Sequence, residues 1–238
     1  MRSLLGLLLL CSACAFGQRR IDVDQDVTLQ TGAFFQAVNG VPVATNVYYK
    51  VVEGSAFFNS DWMKGSVALD TLREYRNLWL KLDLLANELH FKNDKGEELI
   101  CSSPISKISF TDPSTGNQYN FRYSAFIPEL ASSFKPDAWL QEWAQGRASL
   151  YTYHKKSISE IRPYGSATLE QRIMTTEVHY MVVNGQSIRV KRVSDIVNAL
   201  TDKKAELQEW LKKNEVDGKN PADLGRVVDA YNNFFSKS

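Results

Sequence analysis

The residues of this sequence that most favour a binding function are aromatic. Trp139 and Trp143 are four residues apart, and Tyr151 and Tyr153 are two apart, on either side of Gly146. In paired strands each couple would face one way, and flat aromatic rings on a rigid sheet stack on sugar rings or anchor a protein partner. These four residues form the predicted ligand- or partner-binding site. The competing interpretation places one or both couples in the core, where aromatic stripes usually pack.

Signatures of catalysis are missing, and no catalytic residue is predicted. His90, His154 and His179 each stand alone in a strand-like segment, without the short-range ligand spacing of a metal site. No Gly-x-Ser-x-Gly motif presents a serine nucleophile, and no glycine-rich loop is spaced to hold a phosphate. Cys101 lies in a strand pattern with no neighbouring group to activate it, so we expect a structural thiol. We therefore predict no metal and no cofactor.

Glycoside hydrolysis requires two carboxylates at a defined separation. Glu97-Glu98 and the alternating Asp22, Asp24 and Asp26 are the candidates by residue type. The first pair follows a turn, and the second set would share one face of a strand that water normally covers. Both patterns favour solvated carboxylates over a catalytic pair.

The first 17 residues have the pattern of a secretory signal peptide. Arg2 supplies a positive charge, an apolar run follows over residues 4–10, and residues 11–14 continue it without charge. Ala15 and Gly17 place small residues at −3 and −1 of a cut before Gln18. We predict cleavage between Gly17 and Gln18 and an exported protein, located in the periplasm, at the cell surface or outside the cell.

A cysteine within the leader allows a second interpretation. Cys14 follows Ser12 and Ala13, small residues of the kind that precede the acylated cysteine of a bacterial lipoprotein. Cys11 stands where such a signal has leucine, which favours cleavage at Gly17. A membrane contact is expected only if Cys14 is acylated, because an acyl chain would then anchor the protein.

Charge and cysteine content exclude several classes of protein. The 238 residues include 28 basic and 27 acidic ones, and removal of Arg2 with the leader makes the two numbers equal. The basic excess of nucleic-acid-binding proteins is absent, and no nucleic-acid partner is predicted. Loss of the leader leaves Cys101 as the single cysteine, so an intramolecular disulfide cannot form. Stability must come from a packed core.

Alternation of apolar and polar residues predicts an antiparallel, hairpin-rich β core up to residue 193. The leucines of residues 78–84 alternate with polar or mixed positions, as in a strand with one buried face. Turn signals at residues 93–96 and 112–117 separate further short strands of a meander. Residues 139–145 and 148–155 predict a hairpin, with a helix over 137–144 as the alternative.

The strongest hairpin signal is Asn184-Gly185, between strands at residues 177–183 and 186–190, because both central positions of a type I′ turn need positive φ. From Ser194, a candidate helix cap, the period becomes helical, with a break at Thr201-Asp202 and a new start at Asn220-Pro221. The predicted fold is α+β. Its predicted parts are a signal peptide (1–17), a β-rich core (18–193) and C-terminal helices packed on the core (194–238).

Several stretches resemble a group of uncharacterised exported proteins common in Bacteroidota. The resemblance begins with residues 48–62, Gly65-Ser66-Val67 and residues 78–92, and covers roughly residues 45–235. In the C-terminal half it involves Leu150-Tyr151, residues 178–190, residues 201–214 and Tyr231-Asn232. The resemblance implies an exported bacterial protein, periplasmic or at the cell surface, and it implies no activity.

Taken together, these patterns predict an exported envelope protein with a non-enzymatic binding or structural role, whose partner is a protein or a glycan. Two alternatives stay open. One is an envelope hydrolase whose site is assembled from distant residues. The other is a lipid-anchored accessory subunit of a surface complex, which depends on Cys14.

Overall fold

The computed structural model describes residues 27–43, 51–70, 73–134, 137–162, 164–165 and 169–235. Cys14, Gly17 and Gln18 lie outside the described residues, as does the alternating segment of aspartates up to residue 26. The predictions of cleavage, export and acylation therefore stay predictions. Among the described residues, no helix combines the length and the apolar character that a bilayer crossing requires.

Twelve strands within the described residues form one sheet. They are β1 (Val41–Pro42), β2 (Val51–Glu53), β3 (Met63–Ala68), β4 (Glu74–Asp83), β5 (Glu88–Lys92), β6 (Glu98–Ile100), β7 (Lys107–Thr111), β8 (Gln118–Tyr123), β9 (Trp139–Ala144), β10 (Ala148–Ile161), β11 (Glu170–Val183) and β12 (Gln186–Val190). The helices are α1 (Val27–Val38), α2 (Pro128–Ala131), α3 (Val193–Ala199), α4 (Lys204–Lys213) and α5 (Pro221–Asn233), with 3₁₀ turns at Ser124–Phe126 and Thr201–Lys203.

The α+β class is confirmed, but a strict meander is not. Strands β3 to β6 follow one another across the sheet, and β7 then returns to pair with the other edge of β3. The outer edge of β6 is occupied by β1, so β3 offers the free edge. From β7 to β12 neighbours are again consecutive and antiparallel. The sheet is mixed because the five-residue β12 leaves part of the long β11 uncovered, and β2 pairs there in parallel.

Local sequence signals agree with most strands and turns. Leu78, Leu80 and Leu82 of β4 are fully buried, so the predicted leucine face is confirmed. The hairpin of β11 and β12 turns through Asn184 (φ 49°) and Gly185 (φ 71°), as the type I′ prediction requires. The segment between residues 139 and 155 forms the predicted hairpin of β9 and β10, not the alternative helix.

The two faces of the sheet are covered differently. The face that carries Phe121, Leu150 and Met181 is called the helix face, because α1 and α3 to α5 pack on it over two apolar clusters. The opposite face carries Lys107 and Arg122 and is called the groove face. Residues 124–134 cover part of it, and their apolar side chains form a third cluster with Leu140 and Tyr151. The remainder of the groove face around β3, β7 and β8 is polar.

The helices cover the apolar positions of the helix face. The sequence shows no clear pattern over residues 18–45, yet α1 forms there because Phe34 and Val38 are fully buried against the sheet. Helix α5 begins as predicted, since the Asn220 side chain accepts a hydrogen bond from the backbone N–H of Ala222. The predicted cap Ser194 is wrong. Helix α3 already begins at Val193, because the carboxylate of Asp195 accepts from the backbone amides just before the helix.

Candidate functional site

Two of the four aromatic residues predicted to bind a partner are core residues on opposite faces of the sheet. Trp139 is 3% exposed on the helix face, where its ring centroid lies 5.0 Å from that of Tyr123. Tyr151 is 4% exposed on the groove face, in the cluster under residues 124–134. Neither ring offers an open flat face to a macromolecule at the surface.

The other two aromatic residues are partly buried and do not share a surface either. Trp143 is the extra residue of a β-bulge in β9, and its indole N–H donates to Thr152 Oγ1 at 2.8 Å. Its Cβ lies 2.9 Å from the position that a Cβ on Gly225 of α5 would occupy, so it is a docking point for that helix. Tyr153 packs edge-on against Phe134 on the groove face, with ring centroids 4.9 Å apart. The predicted aromatic patch is therefore dispersed.

A row of polar side chains instead crosses the groove face from β3 to β12. Strand register places directly opposed residues side by side on one face of a sheet. The row consists of Ser66, Ser109, Asn120, Glu142, Tyr151, Tyr180 and Arg189. In its exposed part, the Ser109 hydroxyl donates to Asn120 Oδ1 at 2.6 Å. The half-buried part of the row, Ser66, Ser109 and Asn120, gives this face hydroxyl and amide groups.

Beside this row, two cations face each other on neighbouring strands. Lys107 of β7 is directly opposite Arg122 of β8, an arrangement of like charges that is unfavourable by itself. Glu142 of β9 compensates it. One carboxylate oxygen lies 3.1 Å from Lys107 Nζ and the other 3.0 Å from Arg122 Nε. The Glu142 side chain is only 6% exposed, whereas those of Lys107 and Arg122 are 33% and 24% exposed.

The cations lie on the floor of an open groove of about 610 Å³. Its floor also carries Ser66 and Ser109, and the exposed ring of Phe126 forms one wall. The rim carries two carboxylates, each paired with an arginine of its own segment: Asp70 with Arg73 at 2.7 Å and Glu74 with Arg76 at 3.0 Å. Pairing at the rim leaves the excess positive charge on the floor, where two cations share one carboxylate.

The negative charge of Glu142 also acts on its neighbour across β10. Burial, reinforced by the Glu142 carboxylate, raises the pKa of the Tyr151 phenol. Tyr151 therefore remains a neutral hydroxyl at physiological pH. The Glu142 carboxylate thus faces a neutral phenol on one side and the two cations on the other.

The two long strands bring together histidines that the sequence places far apart. Register pairs His154 with Glu177 and Thr152 with His179. His154 Nε2 lies 2.8 Å from Gln141 Oε1, and its Nδ1 lies 3.2 Å from Glu177 Oε1.

The neighbouring Thr152 is fully buried on the helix face, so its hydroxyl is closed to substrate. Its oxygen lies 2.8 Å from both Trp143 Nε1 and His179 Nδ1. Burial lowers the pKa of His154 and of His179 and keeps both imidazoles neutral. This network satisfies buried polar groups between the two apolar clusters of the helix face. Among the described residues, no group of three or more His, Cys, Asp or Glu side chains could hold a metal ion.

Sequence reasoning missed the groove because Lys107, Arg122 and Glu142 are far apart along the chain. One local signal existed. The turn predicted at residues 112–117 joins β7 to β8, and its length sets the register that opposes Lys107 and Arg122. Glu142 gave no comparable signal. It lies between Trp139 and Trp143, and this stretch of the sequence predicted an aromatic site and not a charged one. The chain matches no known protein family, no curated protein and no solved structure.

Proposed function

We propose that this chain is an exported, non-catalytic binding protein that holds an acidic saccharide in the groove of Lys107 and Arg122. One observation carries the proposal: two opposed cations are held in place by a single buried carboxylate at the floor of an open groove. Holding like charges together costs stability, and a bound anion would recover that cost. Export rests on the leader pattern of residues 1–17 and on the resemblance to exported bacterial proteins.

The donors left on the two cations favour a carboxylate ligand. Glu142 occupies Nε of Arg122 and one position around the ammonium of Lys107. A guanidinium has five N–H donors and an ammonium three, so several stay available to a second anion. Glu142 also holds the side chains of Lys107 and Arg122 in position before the ligand binds. Less side-chain entropy is therefore lost on binding.

The remaining lining of the groove favours a hydroxylated ligand. Ser66 and Ser109 present small polar groups on the floor, and Phe126 offers one apolar ring at the wall. Such a mixture suits sugar hydroxyls together with the apolar face of a sugar ring. A volume of about 610 Å³ lies within the usual range of ligand sites, roughly 300–1,000 Å³. The sequence predicts a protein or a glycan as the partner. Of these two, the lining of the groove favours a glycan.

The carboxylates of the groove favour binding over hydrolysis. A glycosidase needs one carboxyl group free to donate a proton and a second to act as base or nucleophile. Both oxygens of Glu142 contact cations, and Asp70 and Glu74 at the rim are each paired with an arginine. Each of these three carboxylates is therefore already engaged in an ion pair.

Calorimetric titration with glucuronate and with glucose tests the proposal. Wild-type protein should bind glucuronate at least tenfold more tightly than glucose at low salt, and the preference should shrink as salt screens the charges. Arg122→Gln and Lys107→Met should each remove most of the preference, whereas Lys95→Met, in an exposed turn that does not line the groove, should leave it unchanged. Equal affinity for the two sugars, or a preference that survives Arg122→Gln in a folded variant, would overturn it.

Export is tested separately by expressing the full chain in a bacterial host and measuring the intact mass of the protein in each cell fraction. A mass that begins at Gln18 in the periplasm or the medium is expected. A mass corresponding to acylated Cys14 in the membrane fraction would support the lipid-anchored alternative, and an uncleaved product in the cytosol would refute export. Neither result depends on the sugar titration.

A further inference from the structure

The hairpin of β10 and β11 extends well beyond the end of β9. Its two strands pair with each other over 14 residues, but β9 accompanies β10 only as far as Thr152. The outer part of the hairpin, residues 155–161 and 170–176, is called the arm. On one side of the arm, β2 covers the edge of β11 by pairing at Gln171 and Arg172. On the other side, the edge of β10 pairs with no strand in the part of the chain that the structure describes.

This open edge of the arm is long and regular. Residues 155–161 keep an unbroken register with β11 over about 23 Å, and their exposed members are Lys155, Ser157, Ile158 and Glu160. Every second residue of an edge strand directs its backbone N–H and C=O groups away from the sheet. Such an edge binds a further strand through main-chain hydrogen bonds, and the side chains decide which strand fits.

The charges along this edge are complementary to themselves. Lys156, Ile158 and Glu160 alternate along β10 on the helix face, with one charge on either side of an isoleucine that is 45% exposed. Neither charged side chain forms an ion pair with a described residue. Glu160 accepts a hydrogen bond from the neutral amide of Gln171 at 3.2 Å, and the Asp83 carboxylate acts on Lys156 only at longer range. Both charges are therefore available to a partner strand.

We propose that two copies of this chain associate through their arms, whose β10 strands pair antiparallel about a two-fold axis at Ile158. In this register the two Ile158 side chains face each other, and Lys156 of each copy faces Glu160 of the other. Two ion pairs thus flank one apolar contact on the helix face. A shift of two residues in either direction opposes Ile158 to Lys156 or to Glu160 and loses both ion pairs.

The arms overlap without bringing the bodies of the two copies together, because each body lies beyond the tip of the other copy's arm. The contact is confined to seven residues of each copy, whereas stable interfaces usually bury more than about 1,200 Å². We therefore expect a weak dimer that dissociates on dilution from about 100 µM to about 1 µM protein. The groove of Lys107 and Arg122 lies outside the arm, so dimerisation does not depend on the proposed sugar binding.

Charge reversal, followed by sedimentation equilibrium, tests both the contact and its register. Wild-type protein at about 100 µM should have the mass of two copies. Lys156→Glu and Glu160→Lys should each be monomeric, because each places like charges opposite each other twice. An equimolar mixture of the two variants should restore the dimer, since every acidic position of one variant then faces a basic position of the other. Lys155→Glu makes the same charge change on the opposite face of the strand and should leave the dimer intact.

A second pair of variants at the axis does not depend on Lys156. Ile158→Lys and Ile158→Glu change an exposed side chain, and each should be monomeric alone and dimeric when the two are mixed. Circular dichroism establishes that each variant is folded. The proposal is overturned if wild-type protein is monomeric at about 100 µM. It is also overturned if neither mixture of folded variants restores the dimer, or if Lys155→Glu dissociates the dimer as strongly as Lys156→Glu does.

Discussion

Lys107 and Arg122 lie directly opposite each other on adjacent antiparallel strands, and the carboxylate of Glu142 contacts both. Opposed like charges destabilise a sheet, so this pair persists because β9 supplies the compensating charge. Glu142 is opposite Asn120, two residues before Arg122 on β8, which places its carboxylate diagonally beside the two cations. The pairing of β8 with β9 thus sets both the electrostatics and the shape of the groove floor.

Glu142→Gln tests this arrangement. The amide keeps the size of the side chain but loses its charge, so the two cations would repel each other without compensation. We expect the free energy of unfolding in urea to fall by about 2 kcal/mol, less than for a fully buried pair because both cations reach water. The double variant Glu142→Gln, Lys107→Met should recover part of the loss. Additive losses in the double variant would contradict the proposed coupling.

Gly54 connects β2 to the segment that continues towards β3, and it tolerates no side chain. Its φ is +83°, and a Cβ at this position would clash with the carbonyl oxygen of Ile173 in β11. Gly96 has a similar φ of +78° but open space around it. Gly96→Ala should cost about 1 kcal/mol of unfolding free energy from backbone strain alone, and Gly54→Ala should cost clearly more.

The difference in unfolding free energy between Gly54→Ala and Gly96→Ala measures the clash with Ile173, because the backbone strain at positive φ is common to both variants. Equilibrium urea unfolding of the two proteins gives it directly. Equal losses would show that β2 moves away from β11 without cost, which would argue against the parallel pairing as a structural element.

Stability should fall in mild acid because of His154. Burial lowers the pKa of this imidazole below its ordinary value of 6.5, opposed by Glu177 and reinforced by Lys156 and His179. The unfolded chain therefore takes up a proton at a pH where the folded protein does not. The contribution of neutral His154 is fully present above pH 6.5 and is lost as the pH falls towards the folded pKa.

For His154 alone, the unfolding free energy should change with pH by at most about 1.4 kcal/mol per pH unit. Urea unfolding at pH 7.5, 6.0 and 5.0 measures it. His154→Gln cannot take up the proton and should show a shallower pH dependence than the wild type, with the remainder due in part to His179. A variant whose slope equals that of the wild type would exclude His154 as the titrating group.

Local features of the fold could be predicted because short stretches of sequence specify them. The alternating leucines of β4, the Asn184-Gly185 turn and the Asn220 cap depend on neighbours within a few residues. Helix α1 could not be predicted in this way. Its formation depends on burial of Phe34 and Val38 against distant strands, and short helices gain most of their stability from such contacts.

By itself, the sequence determined the α+β class, the positions of most strands and turns, and the start of α5, since propensity, period and capping act along the chain. Tertiary structure alone decided that β7 pairs with β3, that Trp139 and Tyr151 lie on opposite faces, and that Glu142 lies between Lys107 and Arg122. Strand partners are chosen by which edges remain free once other segments have paired. Because the side chains of a strand alternate between faces, each choice of partner and register decides which distant residues share a surface.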